Sequence, residues 1–116
     1  MEYMLLIYAN EAEGKQLADA QYQQIFQEYM DFNQDLSKSG QRKGGAPLEQ
    51  TPTATTVRVR NGKTMVTDGP FAETKEQLGG YNLVEAKDLD EAISIASRIP
   101  GAKFGSIEVR PVMKIN

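Results

Sequence analysis

The sequence predicts an α+β fold: a ferredoxin-like antiparallel sheet with two helices on one face, plus an extra hairpin. Three observations carry that prediction. Strand-length apolar runs stand near both ends of the chain, two stretches repeat apolar residues at helical spacing, and a two-residue turn sits between two alternating runs. The resulting order is β-α-β, a hairpin, then β-α-β, which suits a sheet covered by helices on one side.

Tyr3-Met4-Leu5-Leu6-Ile7-Tyr8 is apolar without alternation, as expected of a central strand covered on both faces. Asn10 to Lys15 reads as a polar loop. Asp19 to Ser39 reads as the first helix, with Tyr22, Ile25, Phe26, Tyr29, Phe32, Asn33 and Leu36 on one face. Asp19 is placed to cap its start, and Gly40 to end it in a left-handed conformation. Arg42 to Gln50 reads as a short, glycine-weakened strand, which Thr51-Pro52-Thr53 interrupts.

Thr55 to Arg60 and Lys63 to Asp68 flank Asn61-Gly62, the preferred pair for a type I′ hairpin turn. In that register Arg60 faces Lys63, Val59 faces Thr64, Val57 faces Val66 and Thr55 faces Asp68. Val57, Val59, Val66 and Asp68 therefore share one face, and Arg58, Arg60 and Met65 the other. Gly80 to Ala86 reads as the next strand. Asp88-Leu89-Asp90-Glu91 opens the second helix as a capping box, with Leu89, Ala92, Ile93, Ala96 and Ile99 inward as far as Pro100-Gly101. Ser106 to Arg110 alternates into the last strand, Ile107 and Val109 on one side, Glu108 and Arg110 on the other.

Two helices cover one face of a sheet. A central strand that is apolar on both faces then needs a second cover, and in 116 residues a second copy of the chain supplies it most simply. The expectation is one domain, residues 1–116, forming a homodimer with its sheets face to face. A net charge of −3 and a pI near 5.0 argue against a nucleic-acid partner. No apolar run approaches a membrane span, and the first lacks the features of a signal peptide, so the expected location is cytoplasmic. The chain has no Cys and no His. That excludes thiolate nucleophiles, Cys or His metal sites and every His-dependent triad, and leaves Asp, Glu, Lys and Tyr for any proton transfer. No metal or cofactor is called for.

The stretch from Asp68 to Tyr81 is the candidate functional segment. Asp68-Gly69-Pro70 is a strong turn signal, Gly79-Gly80 offers a second bend, and a loop of about twelve residues in so small a fold usually has a functional reason. Asp68-Gly69-Pro70-Phe71-Ala72-Glu73-Thr74-Lys75-Glu76 resembles the signature of the DGPF-type branch of the YCII-related proteins. The opening strand, the Thr53 to Arg60 strand and Ser106 to Val112 resemble the same family. The resemblance implies a dimeric α+β barrel, a bacterial cytoplasmic protein, and a gene neighbourhood of extracytoplasmic-function sigma factors. In the wider family a His–Asp pair has been suggested as catalytic; Asp68 matches the Asp, and no residue of this chain matches the His.

Asp68, at the end of a valine face, is the catalytic candidate. A half-buried carboxylate without a cation beside it favours its protonated form, which suits an acid or base. The competing reading is a turn residue whose side chain accepts bonds from its own backbone. Phe71, Glu73 and Lys75 join Asp68 as candidate ligand-binding residues, with Arg58 and Arg110 as cations of a cleft for a small anion; ordinary solvated strand surface is the alternative for both arginines. No phosphate-loop or dinucleotide pattern is present. Two functional classes remain: a small-molecule-binding or accessory homodimer, which could be linked to sigma-factor control, and a cofactor-free enzyme using Asp68 on a small polar or carbonyl compound.

Overall fold

The computed structural model describes residues 1–115. Four strands form one antiparallel sheet: β1 (Glu2–Ala9), β2 (Arg42–Pro47), β5 (Gln77–Glu85) and β6 (Ser106–Pro111), in the order β2-β5-β1-β6. The first strand is interior, as its double-sided apolar run requires. The strands β3 (Thr55–Arg60) and β4 (Lys63–Asp68) pair only with each other, as a separate two-stranded ribbon. Helices α1 (Glu11–Gly14), α2 (Asp19–Lys38) and α3 (Leu89–Ser97) complete the chain, with short 3-10 turns at Thr51–Thr53 and Pro100–Lys103.

The core lies between α2, α3 and one face of the sheet. Tyr3, Leu5 and Val84 from the sheet meet Phe32 and Leu36 of α2, Ala92, Ile95 and Ala96 of α3, and Ile99 beyond it. Ile7, Tyr29, Ile107 and Val109 pack against this cluster from its margins. Asn82 is the buried polar residue of that face, and its Oδ1 accepts from Arg42 Nε at 3.2 Å. On the opposite face stand Met4, Leu6 and Tyr8 of β1, Tyr81 and Leu83 of β5, and Glu108 and Arg110 of β6. Its five large apolar residues are only half buried, because no helix lies over them.

Local chemistry explains most boundaries. Asn61 (φ 53°) and Gly62 (φ 76°) have the left-handed angles of the I′ turn, and the hairpin register is as the turn dictates, from Thr55↔Asp68 to Arg60↔Lys63. Gly40 (φ 76°) follows α2 and lets the chain leave the helix. Asp88 caps α3, its Oδ1 accepting from Glu91 N at 2.9 Å, while Glu91 Oε1 accepts from Lys87 N.

Several expectations need correction. The segment after β1 contains a capped turn of helix, Asn10 Oδ1 accepting from Glu13 N, because an Asn before two acids closes a turn locally. Asp19 is the first helical residue of α2, not its cap; Ala18 holds that place, its N–H satisfied by Gln21 Oε1 at 2.9 Å. Tyr22 and Phe26 share the predicted face of α2 but are exposed; the helix buries its face only in its second half, through Phe32 and Leu36 with Tyr29 at the margin. In α3, Ala92 and Ala96 face inward as expected, but they are joined by Ile95, while Leu89 and Ile93 are half exposed on the outer side. Gly79-Gly80 is not a bend. Both lie within β5, where the register with β1 steps from Ile7↔Gly80 to Tyr8↔Leu78, so Gly79 is the extra residue of a bulge.

Tyr29 links α2 to the turn before β6: Gly101 N donates to its hydroxyl at 3.0 Å. Burial of the phenol raises its pKa above the usual 10.0, and the bond from Gly101 only partly offsets this. The folded state thus holds Tyr29 neutral more strongly than the unfolded chain does. Its contribution is complete below the ordinary tyrosine value and is lost as pH climbs through the raised folded value. Urea unfolding at alkaline pH should show stability falling in that window, with a smaller fall in Tyr29→Phe; an identical decline in both proteins would contradict this.

Candidate functional site

The hairpin, and with it the predicted site, projects away from the body. Val57, Val59 and Val66 are each about 60% exposed, and Phe71 is 77% exposed. Asp68 is itself exposed, and among the described residues its carboxylate accepts no hydrogen bond and forms no ion pair. Neither sequence expectation for it survives within one chain. Its apolar surroundings are absent because nothing packs on the valine face. The turn is closed by other groups: Gly69 N donates to Ala54 O at 2.7 Å, and Thr56 Oγ1 to Gly69 O at 2.8 Å. Gly69 has φ 97°, an angle a side chain resists.

Of the six predicted site residues, the structure joins two directly. Arg58, half buried midway along the ribbon, donates through Nη2 to the Phe71 carbonyl at 3.4 Å. Glu73 and Lys75 are exposed on the loop. Arg110 lies on β6, an edge of the main sheet, and forms a forked pair with Glu108, Nε to Oε1 at 3.1 Å and Nη2 to Oε2 at 3.3 Å. It stands on the open sheet face, whereas Arg58 stands on the ribbon, so one chain does not gather them into a single anion cleft.

The far end of the loop is tied down where its middle is not. Thr74 Oγ1 donates to Glu76 O, Gln77 Nε2 to Thr74 O, and Ser106 Oγ to Glu76 Oε1 at 2.7 Å. Gln77 also faces the other way, its Oε1 accepting from Glu11 N at 2.9 Å. The Glu11 carboxylate in turn accepts from Thr51 N at 2.9 Å and Thr51 Oγ1 at 3.0 Å. Three distant segments therefore meet around Glu11.

Beside this junction opens a cleft of about 460 Å³, lined among others by Glu11, Lys15, Asp19, Tyr22, Gln77 and Gly79. None of the six predicted residues lines it. Sequence reading missed it because Asn10 to Lys15 carries no motif, and Glu11 acquires its partners only through folding. Among the described residues no group of three or more acids is disposed to hold a metal.

Glu11→Ala removes a charged acceptor from two donors and should lower stability by about 2 kcal/mol. Glu11→Gln keeps one acceptor oxygen and should recover part of that. Chemical denaturation of both variants tests this, and a silent Glu11→Ala would show that the junction holds nothing together.

Comparison with known proteins bears on these features. The model of the YCII-related domain matches residues 1–116. An uncharacterised protein of Rhizobium meliloti is 35% identical over 114 residues, covering 97% of this chain and 92% of that protein. Among solved structures, the 5-chloro-2-hydroxyhydroquinone dehydrochlorinase of Burkholderia phenoliruptrix, in complex with 2,5-dihydroxybenzoquinone, aligns over 97% of this chain and 94% of its own. Its TM-score is 0.53 at 14% identity, a likeness of fold alone. With a full-length family match and a relative alike across nearly its whole length, the chain belongs to the YCII-related domain family.

Proposed function

We propose that this chain, as a DGPF-type member of its family, is a cytoplasmic bacterial protein of one domain that binds a small molecule as a homodimer. The observation that carries this is a pair of apolar surfaces: the ribbon's exposed valine face, and the helix-free sheet face on which Met4, Leu6, Tyr8, Tyr81 and Leu83 are only partly buried. A lone two-stranded ribbon is marginal in water, and contiguous exposed apolar surface marks an interaction site. A second copy covers both at once, with no other partner required. It also encloses the loop around Asp68, which supplies the concavity that one chain lacks. Phe71, Glu73, Lys75 and the two arginines Arg58 and Arg110 then have a place as binding groups. A link to sigma factors rests on the sequence resemblance alone.

A second reading is a cofactor-free enzyme with Asp68 as acid or base. It gains support from the fold's occurrence in a dehydrochlorinase crystallised with a quinone, a carbonyl compound of the expected size. No helix among the described residues is long and apolar enough to cross a membrane.

Sedimentation at micromolar concentration should give twice the 12.9 kDa of one chain. Native mass spectrometry of freshly purified protein, and titration with 2,5-dihydroxybenzoquinone, test ligand binding. Asp68→Asn should weaken it at least about tenfold, some 1.4 kcal/mol, with an unchanged melting temperature. Turnover of the quinone that Asp68→Asn abolishes would favour the enzyme. A monomer, or a bound compound indifferent to Asp68→Asn, would overturn the proposal.

A further inference from the structure

The cleft beside Glu11 is a built feature that the Asp68 reading leaves unused. Its floor is tied by hydrogen bonds: the Gln77 amide accepts from Glu11 N and donates to Thr74 O, and Glu11 accepts from Thr51. Gly79 belongs to the same floor. As the extra residue of the bulge it lines the cleft without a side chain, and a Cβ there would approach only the Ile7 carbonyl, at 3.9 Å. Bulges recur beside functional sites because they interrupt pairing and redirect the backbone. Ala9, Leu17 and the ring of Tyr22 supply an apolar wall. The volume of about 460 Å³ lies in the range of small-ligand sites.

The charges decide the chemistry. Glu11 already receives the Thr51 donors, so its carboxylate is committed to the scaffold. Lys15 and Asp19 are different. Both line the cleft, and among the described residues neither forms an ion pair, with each other or with anything else. One unpaired cation and one unpaired anion around an apolar wall form a dipolar template. A simple anion would meet Asp19 and Glu11, and a simple cation would meet Lys15. A zwitterion with an apolar side chain satisfies both.

We propose that this cleft binds a free α-amino acid with an apolar or aromatic side chain, its carboxylate on Lys15, its ammonium on Asp19 and its side chain against Leu17 and Tyr22. The site is independent of Asp68 and needs no second copy.

The test uses isotopically labelled full chain and three probes followed by amide shifts: phenylalanine, phenylpropionate, which lacks the ammonium, and phenethylamine, which lacks the carboxylate. Phenylalanine should shift Gln77 and Gly79 saturably and bind about fivefold more tightly than either half-molecule, the gain of one partly exposed ion pair. Lys15→Gln should weaken phenylalanine and phenylpropionate by about that factor and spare phenethylamine. Asp19→Asn should weaken phenylalanine and phenethylamine and spare phenylpropionate, and Lys15→Arg should bind as the parent chain does. Both positions are exposed, so the fold is retained, and Asp68→Asn should change none of these values. Shifts that fail to saturate, shifts confined to the Asp68 loop, or equal loss of all three probes in either variant would overturn the assignment.

Discussion

The rest of the structure depends on a mismatch between β1 and its cover. Tyr3, Leu5 and Ile7 face two helices, while Met4, Leu6 and Tyr8 face the other way, where the chain provides nothing. Apolar burial stabilises at roughly 25 cal/mol per Å², so a strand that is apolar on both faces is not indifferent to half its surface staying wet. The same imbalance recurs in the ribbon, whose valines have no partner within one chain. Both surfaces ask for the same answer.

The ribbon also differs from the body in charge. Its residues from Thr55 to Thr67 carry Arg58, Arg60 and Lys63 and no acid, in a chain whose net charge is −3. The rest of the chain is net acidic, so in the proposed dimer the basic ribbon would meet a partner of opposite overall charge, which favours encounter between like chains. The Asp68 loop lies where ribbon and body meet. Its near end is fixed by Ala54, Thr56 and Arg58, the last holding the Phe71 carbonyl, and its far end by Ser106 and Gln77, leaving the Phe71 ring, Glu73 and Lys75 exposed between two anchors.

Much of the fold was legible because the informative signals are local. Asn61-Gly62 dictates the hairpin register, Gly40 the end of α2, and Asp88 with Glu91 the start of α3. Unbroken apolarity placed β1 inside the sheet. What sequence could not supply is where elements stop touching. Tyr22 and Phe26 keep the helical period although only the later part of α2 is buried, and periodicity does not record the extent of the opposing surface. Gly79-Gly80 reads as a bend because glycine permits one; only the pairing with Ile7 and Tyr8 reveals a bulge. The site was half legible for the same reason. Asp68 and its turn stand out by residue type, whereas Glu11, Gln77 and Thr51 become a junction only once three separate segments converge.

The central claim is that a second copy covers the ribbon and the open sheet face. Amide hydrogen exchange of Val57, Val59 and Val66, measured across a hundredfold dilution series, addresses it most directly. The account predicts slow exchange of the ribbon amides at high protein concentration that quickens on dilution, while the amides of the interior strands β1 and β5, already paired on both edges, change little. Fast, concentration-independent exchange of the ribbon amides would contradict it.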